Sequence, residues 1–348
     1  DFSVAQVFEI LKSSPNRIDA PCKYYLSCTG CQFQHVKYDI QLKLKTKIIS
    51  EALSKTIKFK KVEVLETMGS DKLYHYRNHA RFTISKKNPF KGNIGFVNQF
   101  TRKILKINKC LLMDHKINYV LSLIQGKLQG MSQLSIRVGS NSGSILIQPK
   151  FKDIFPEIKS GQEKIEEIFL GQPFRIGSPS FFQVNTLQAE KLSELLVDQL
   201  SLDGSEVVLD TYCGVGVFSI LLAPFVRKVI GVEISDSALE DAIFNARHLN
   251  NIRFIKAYTE EILRELDFSP DIVILDPPRS GCKREVLDSL LLIGPKKILM
   301  VSCDLESFVR DIDILCNKNY ELKQVQPVDM FPHTKHIEVL GVIEKINL

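Results

Sequence analysis

The sequence predicts an α/β fold: a mostly parallel sheet of alternating strands and helices, closed by an antiparallel hairpin and preceded by a β-rich N-terminal region. Three observations predict it. From residue 206 onward, apolar strand-like runs alternate with helical patterns, as the crossovers of a parallel sheet require. The last two runs are joined by a short link, Asp329–Lys335, too short for a crossover helix. Between Lys60 and Lys150 the pattern is instead one of short alternating runs separated by Gly, Asn and Ser, which reads as antiparallel.

In chain order, a short apolar-polar segment at Ser3–Leu11 leads through Pro15 and Pro21 into a turn-rich stretch holding Cys22, Cys28 and Cys31. A helix is predicted over Tyr38–Leu53, with Ile40, Leu44, Ile48 and Ala52 on its apolar face and Lys43, Lys45 and Lys47 on the others. Strands follow at Arg81–Ser85, Asn93–Val97, Leu134–Val138 and Ser144–Gln148. The parallel region is assigned strands Glu206–Asp210, Lys228–Glu233, Ile252–Lys256, Asp271–Asp276 and Lys297–Ser302, with helices between them. The hairpin is Glu321–Val328 and His336–Ile343.

Charge divides the chain near Gly171. Residues 1–170 hold 28 Lys and Arg against 14 Asp and Glu, whereas residues 171–348 hold 18 against 26. A basic half beside an acidic one implies a polyanion-binding region, 21–170, attached to a differently employed domain, 171–348. No run of about 18 apolar residues or secretory leader pattern is present, so no membrane association is expected and the cytoplasm is the expected location. A first residue of Asp1 rather than Met leads to the expectation that something upstream was removed or omitted. Eight cysteines in such a protein point to metal binding or catalysis rather than disulfides.

Val207–Gly216 is an apolar strand running into a glycine turn, and Val217–Ala223 continues as a helix, which is nucleotide-binding architecture. Glu233 ends the next strand where an acid would bind ribose hydroxyls. Gly214-x-Gly216 lacks the third glycine of a dinucleotide fingerprint, so a ligand without pyrophosphate, such as S-adenosylmethionine, fits better than NAD. Asp276, before Pro277 and Pro278, sets another carboxylate at the same crevice.

Ser302-Cys303-Asp304 ends the fifth strand and starts a helix, placing a thiol at the crevice mouth where a helix N-terminus favours the thiolate. In the last strand, period-two alternation puts Thr334, His336 and Glu338 on one face. His333 and His336 lack a clear third ligand and are read as packed or hydrogen-bonded rather than metal-bound. A thiolate with a carboxylate suits C5 of uracil, which is too weak a nucleophile to take a methyl group directly. Thiolate addition at C6 creates an enolate that can attack the methyl donor, and a base must then remove the C5 proton.

These motifs resemble the RNA 5-methyluridine methyltransferase family over nearly the whole chain. The resemblance rests on Ser302-Cys303-Asp304, on the closing run Asp329–Glu338 (DMFPHTKHIE), and on Ser178–Asn185 (SPSFFQVN). It implies a class I, Rossmann-like methyltransferase domain, with Cys303 as nucleophile, Glu338 as base, and Gln183, Tyr212, Glu233 and Asp276 as contacts to S-adenosylmethionine. Val217 departs from the family's usual Asn. Cys22-x5-Cys28-x2-Cys31 with Cys110 resembles the four ligands of a [4Fe–4S] cluster in some members, and zinc is the alternative on spacing alone. Residues 1–20 look like the remnant of an upstream RNA-binding β-barrel domain or a linker. The implied partner is large-subunit ribosomal RNA, with a transfer RNA T-loop uridine as the alternative, and a monomer is expected. The rivals are a 5-methylcytosine enzyme, which would need Cys after Pro277, an amino-group methyltransferase, which would need an aromatic at Arg279, and a metal-stabilised RNA-binding protein without activity.

Overall fold

The computed structural model describes residues 7–151 and 158–346, so the start of the Ser3–Leu11 segment lies outside the described residues. In chain order the elements are α1 (Tyr38–Ser54), β1 (Glu63–Val64), β2 (His79–Ile84), β3 (Ile94–Val97), β4 (Ile104–Lys106), α2 (His115–Ile124), β5 (Gln133–Val138) and β6 (Ile145–Gln148). There follow β7 (Lys164–Phe169), β8 (Gln172–Gly177), α3 (Thr186–Asp198), β9 (Val207–Thr211), α4 (Val217–Leu222), β10 (Lys228–Glu233), α5 (Asp236–Asn245) and β11 (Ile252–Lys256). The chain closes with α6 (Thr259–Ile262), β12 (Ile272–Leu275), α7 (Arg284–Ile293), β13 (Lys297–Ser302), α8 (Leu305–Leu315), β14 (Tyr320–Val328) and β15 (Glu338–Lys345).

Eight strands form the main sheet, in the order β1-β14-β15-β13-β12-β9-β10-β11. Strands β9 to β13 run parallel, and β15 lies antiparallel between β13 and β14, so the predicted closing hairpin is present. A second sheet, β4-β3-β2-β5-β6, is antiparallel throughout and packs α2 over one face with Ile117, Leu121 and Ile124 in its core. The β7-β8 hairpin and α3 were not anticipated. Both bury Phe and Leu side chains against the main sheet, where mixed polar composition hides their pattern.

Strand β1, from the basic half, pairs parallel with β14 through Glu63–Gln324 and Val64–Val325. Helix α1 packs beside it, and Ile49, Leu53 and Phe59 join the core formed by β13, α8 and β14. The helix turns a different face inward from the one predicted. Gln41, Lys45, Ile49 and Leu53 are buried, one residue on from Ile40, Leu44, Ile48 and Ala52, while Leu44 and Ile48 face solvent. The periodicity was correct, but Lys45 has a partner distant in sequence: its ammonium donates to Asp329 Oδ1 at 2.6 Å, with both side chains fully buried. Lys45→Met leaves a buried carboxylate without its cation and is expected to destabilise the fold by ~3–5 kcal/mol, read as a lower urea midpoint.

The final strand also begins later than predicted. Residues 329–337 form a loop in which His333 adopts φ 67°, which breaks the extended conformation, so Thr334 and His336 are not strand residues and Glu338 opens β15.

Candidate active site

The carboxyl ends of adjacent strands bring four of the predicted residues to one crevice. Tyr212 follows β9, Glu233 ends β10, Asp276 follows β12 and Cys303 follows β13. After β9 the chain turns sharply, with Tyr212, Gly214 and Gly216 all at positive φ, before α4 begins. Glycine is required at 216, because a Cβ there would lie 3.1 Å from Phe254 Cζ in an already left-handed conformation. Glu233 folds back over this turn and accepts from the N–H of Gly214 at 3.0 Å and of Ser235 at 2.7 Å. The Tyr212 ring packs against the core, and burial raises its phenol well above the usual value.

Asp210, inside the apolar strand that leads into the glycine turn, is the most distinctive carboxylate of the crevice. It is fully buried, and Oδ2 accepts from Ser219 Oγ at 2.6 Å. Oδ1 has no hydrogen-bond partner, and burial, with the Glu233 charge adding to it, pushes the group up to about 7. An orphaned buried carboxylate oxygen beside a glycine turn suits a cationic ligand, and S-adenosylmethionine carries both a sulfonium and an ammonium.

Gln183 lies on the segment before α3. Asn78 holds that segment, its Nδ2 donating to the carbonyl of Gln183 at 3.0 Å and to Thr186 Oγ1 at 3.0 Å. Asn185 joins it to the closing loop by donating to the Met330 carbonyl at 3.1 Å. The backbone at Gln183 is thus fixed by tertiary bonds rather than by a strand end.

The β13–β15 ladder runs from Lys297–Glu344 to Ser302–Val339, so the next opposed positions are Cys303 and Glu338. Their pairing was not legible in the sequence, because it depends on the register of a strand inserted out of order. Cys303 is half-buried and directly precedes Asp304, which caps α8 by accepting from the Ser307 N–H at 3.0 Å. On balance the thiol is raised rather than lowered. Burial raises it, the Glu338 and Asp276 carboxylates raise it further, and Arg279 opposes both by its charge and a hydrogen bond. Burial and the Asp276 charge push Glu338 up to about 8, with Arg279 again opposing. Asp276 is pushed up to about 7 by burial and by Asp210. Arg279, which the sequence uses only to exclude another enzyme class, is thus the cation that acts on both Cys303 and Glu338.

Three carboxyls that hold their protons more tightly than in the unfolded chain make stability fall as pH rises. The unfolded groups ionise near ~4, so the contribution is complete below that and is lost between pH ~4 and the folded values of about 7 and 8. The urea midpoint is expected to drop between pH 5 and 8, and to drop less in Glu338→Gln.

Away from the crevice, Cys22, Cys28, Cys31 and Cys110 line one small cavity with Tyr24, Tyr25 and Phe96. None of the eight cysteines is in a disulfide. Burial raises Cys31 to about 12 and also raises Cys28 and Cys110, and the thiols reinforce one another. Among the described residues, no three His, Cys, Asp or Glu side chains are gathered as the ligands of one metal ion. The donor set is chemically suited to a thiolate-bound centre, but the thiols surround a cavity rather than meeting at a point.

A second cavity, of about 510 Å³, opens between the antiparallel sheet and the segment before α3. Arg77, His79, Arg81 and Arg137 line it together with Phe181, which is 67% exposed. Burial and the three arginines push His79 down to about 3. Among the described residues no helix is long and apolar enough to cross a membrane.

A family profile for tRNA (uracil-5-)-methyltransferase matches residues 170–346. An uncharacterized RNA methyltransferase of Clostridium acetobutylicum is 32% identical across 99% of this chain and 88% of its own length. One from Staphylococcus aureus is 30% identical across 98% and 88%. Among solved structures, the tRNA (uracil-54, C5)-methyltransferase of Pyrococcus abyssi in complex with S-adenosyl-L-homocysteine is similar with a TM-score of 0.75 and 26% identity, covering 96% of this chain and 88% of that one. The crevice, its carboxylates and these relatives agree: the chain belongs to the tRNA (uracil-5-)-methyltransferase family, S-adenosylmethionine-dependent enzymes that methylate C5 of uracil in RNA.

Proposed function

We propose that the protein methylates C5 of a specific uridine in large-subunit ribosomal RNA through a covalent bond between Cys303 and C6. The observation that carries this reading is that Cys303 and Glu338 each stand one step beyond the last β13–β15 pair, Ser302–Val339, close enough for the Glu338 charge to raise the thiol. The Cys303 thiol gives its proton to water, the Arg279 charge stabilising the thiolate, and the sulfur adds to C6 as the C5–C6 π pair moves onto C5 and O4. The electron pair moved onto C5 attacks the sulfonium methyl, the S–CH3 bond breaks and S-adenosylhomocysteine remains. Glu338 takes the C5 proton, the ring electrons return, and the C6–S bond breaks to free the thiolate. Gln183, Tyr212, Glu233 and Asp276 hold the methyl donor, with Asp210 added as a partner for its cationic end.

The target base must leave its stack to reach Cys303. The cavity where Arg77 and Arg81 of the basic region face exposed Phe181 supports residues 21–170 as RNA-binding, with Phe181 of the following region adding a stacking surface, since it combines phosphate partners with an aromatic face. Residues 171–348 carry the transfer chemistry. Cys22, Cys28, Cys31 and Cys110 would hold a [4Fe–4S] cluster in a structural role. The choice of iron over zinc rests on the resemblance of the cysteine spacing, and the four cysteines line one cavity. An absorption band in the visible for anaerobically purified protein supports iron, and its absence with bound zinc overturns it.

The cysteine set supports ribosomal RNA, and the Pyrococcus abyssi neighbour supports a transfer RNA T-loop uridine as a second reading. Incubation with labelled S-adenosylmethionine and either RNA, followed by nucleoside analysis, is expected to give 5-methyluridine from large-subunit ribosomal RNA. Label on cytosine, or on transfer RNA alone, would overturn the respective part.

A further inference from the structure

The loop 329–337, which delivers Glu338, has no regular structure of its own and is bonded to α1 and the segment before it. Lys45 has three N–H donors and uses all of them on this loop: Asp329 Oδ1 at 2.6 Å, the Phe331 carbonyl at 3.3 Å and the His336 carbonyl at 2.8 Å. One buried atom thus ties the loop's first residue to a position two residues before Glu338. Gln41 holds the middle. Its Oε1 accepts from the His333 N–H at 3.0 Å, and its Nε2 lies 3.1 Å from His333 Nδ1. Gln32 and Phe33, immediately after Cys31, donate their N–H groups to the His333 carbonyl at 3.1 and 2.9 Å. Tyr74 stacks on the His333 ring at 4.5 Å, and Tyr76 Oη donates to the Pro332 carbonyl at 3.1 Å.

A helix that needed only to pack would place apolar residues at 41 and 45, as this one does at Ile49 and Leu53. A buried ammonium and a buried amide are costly; here the ammonium is matched wholly to polar groups of the loop, while the Gln41 amide bridges, its oxygen accepting from the loop and its nitrogen donating to the Phe33 and Val36 carbonyls before α1. Cys303 follows β13 at the capped start of α8, while Glu338 opens β15 opposite Val328, so the loop bears on the first residue of its strand and not on Cys303.

We propose that Lys45 and Gln41 are positioning residues for methyl transfer, setting the place of Glu338 through the loop and serving removal of the C5 proton rather than thiolate addition. This rests on the covalent reading above, and the two are separable with RNA transcripts containing 5-fluorouridine. Fluorine leaves no proton at C5, so after methyl transfer the thiolate cannot depart and an adduct accumulates without help from a base. The variants are Lys45→Met combined with Asp329→Asn, which leaves no unpaired buried charge, and separately Gln41→Leu. On ordinary transcripts of large-subunit and transfer RNA, turnover is expected to fall ~10- to 100-fold with KM for RNA unchanged and protein–RNA adduct accumulating. On 5-fluorouridine transcripts, adduct formation is expected to remain within about twofold of wild type, since no base is used there. The proposal is overturned by wild-type turnover in both variants, by an equal loss of 5-fluorouridine trapping, or by loss of the folded circular dichroism spectrum in both. Failure of the wild-type protein to trap 5-fluorouridine RNA would instead reject the covalent reading, and this inference with it.

Discussion

Cys303→Ala is expected to lower methyl transfer by roughly 10⁴-fold or more, with S-adenosylmethionine affinity unchanged. Without a sulfur to add at C6, C5 of uracil lacks the electron pair that attacks the methyl group, and no neighbouring group substitutes for it. Cys213 and Cys282 are buried with strongly raised thiols. It is Cys303, one residue beyond the last β13–β15 pair, and not either of these, whose thiol the Glu338 charge raises. Single-turnover transfer of a labelled methyl group to RNA measures the effect. Transfer close to the wild-type rate would remove the nucleophile from the scheme.

Glu338→Gln is expected to behave differently, and the contrast separates the two roles. The amide still fills the buried position but cannot take the C5 proton, so turnover falls ~10²–10⁴-fold while addition and methyl transfer proceed. A methylated protein–RNA adduct should therefore accumulate, visible as a slow band on a denaturing gel, where Cys303→Ala gives none. With Glu338 pushed up to about 8, wild-type turnover is expected to rise with pH through that region, and the glutamine variant should lose this dependence. A variant that releases product in many turnovers would show that another group is the base.

The alternation of apolar runs made β9 to β13 legible to within a residue or two, because parallel strands buried on both faces are near-continuous apolar segments. Cys303 was legible from its place at a strand end. Lys45 was not, since a lysine on a helix reads as solvated unless its partner is known, and that partner lies 284 residues away. The apolar stripe of α1 was misplaced by one position for the same reason, with Leu44 and Ile48 left exposed while Gln41 and Lys45 turned inward. Asp210 carried a signal that went unused: an acid inside an otherwise apolar strand needs a partner, and one of its oxygens has none in the protein. Arg279 gave no signal, because an exposed arginine after two prolines fits any loop.

The pairing of β1 with β14 has a consequence for how the chain is made. Glu63 emerges from the ribosome long before Gln324, and the edge of the main sheet cannot close until the last strands have been synthesised. The antiparallel sheet β2 to β6 draws on near neighbours and can form early, whereas α1 must wait with Lys45 unpaired and Ile49 and Leu53 uncovered. So long a separation between partners slows completion of the fold and leaves an early segment open to misassociation until synthesis is nearly finished.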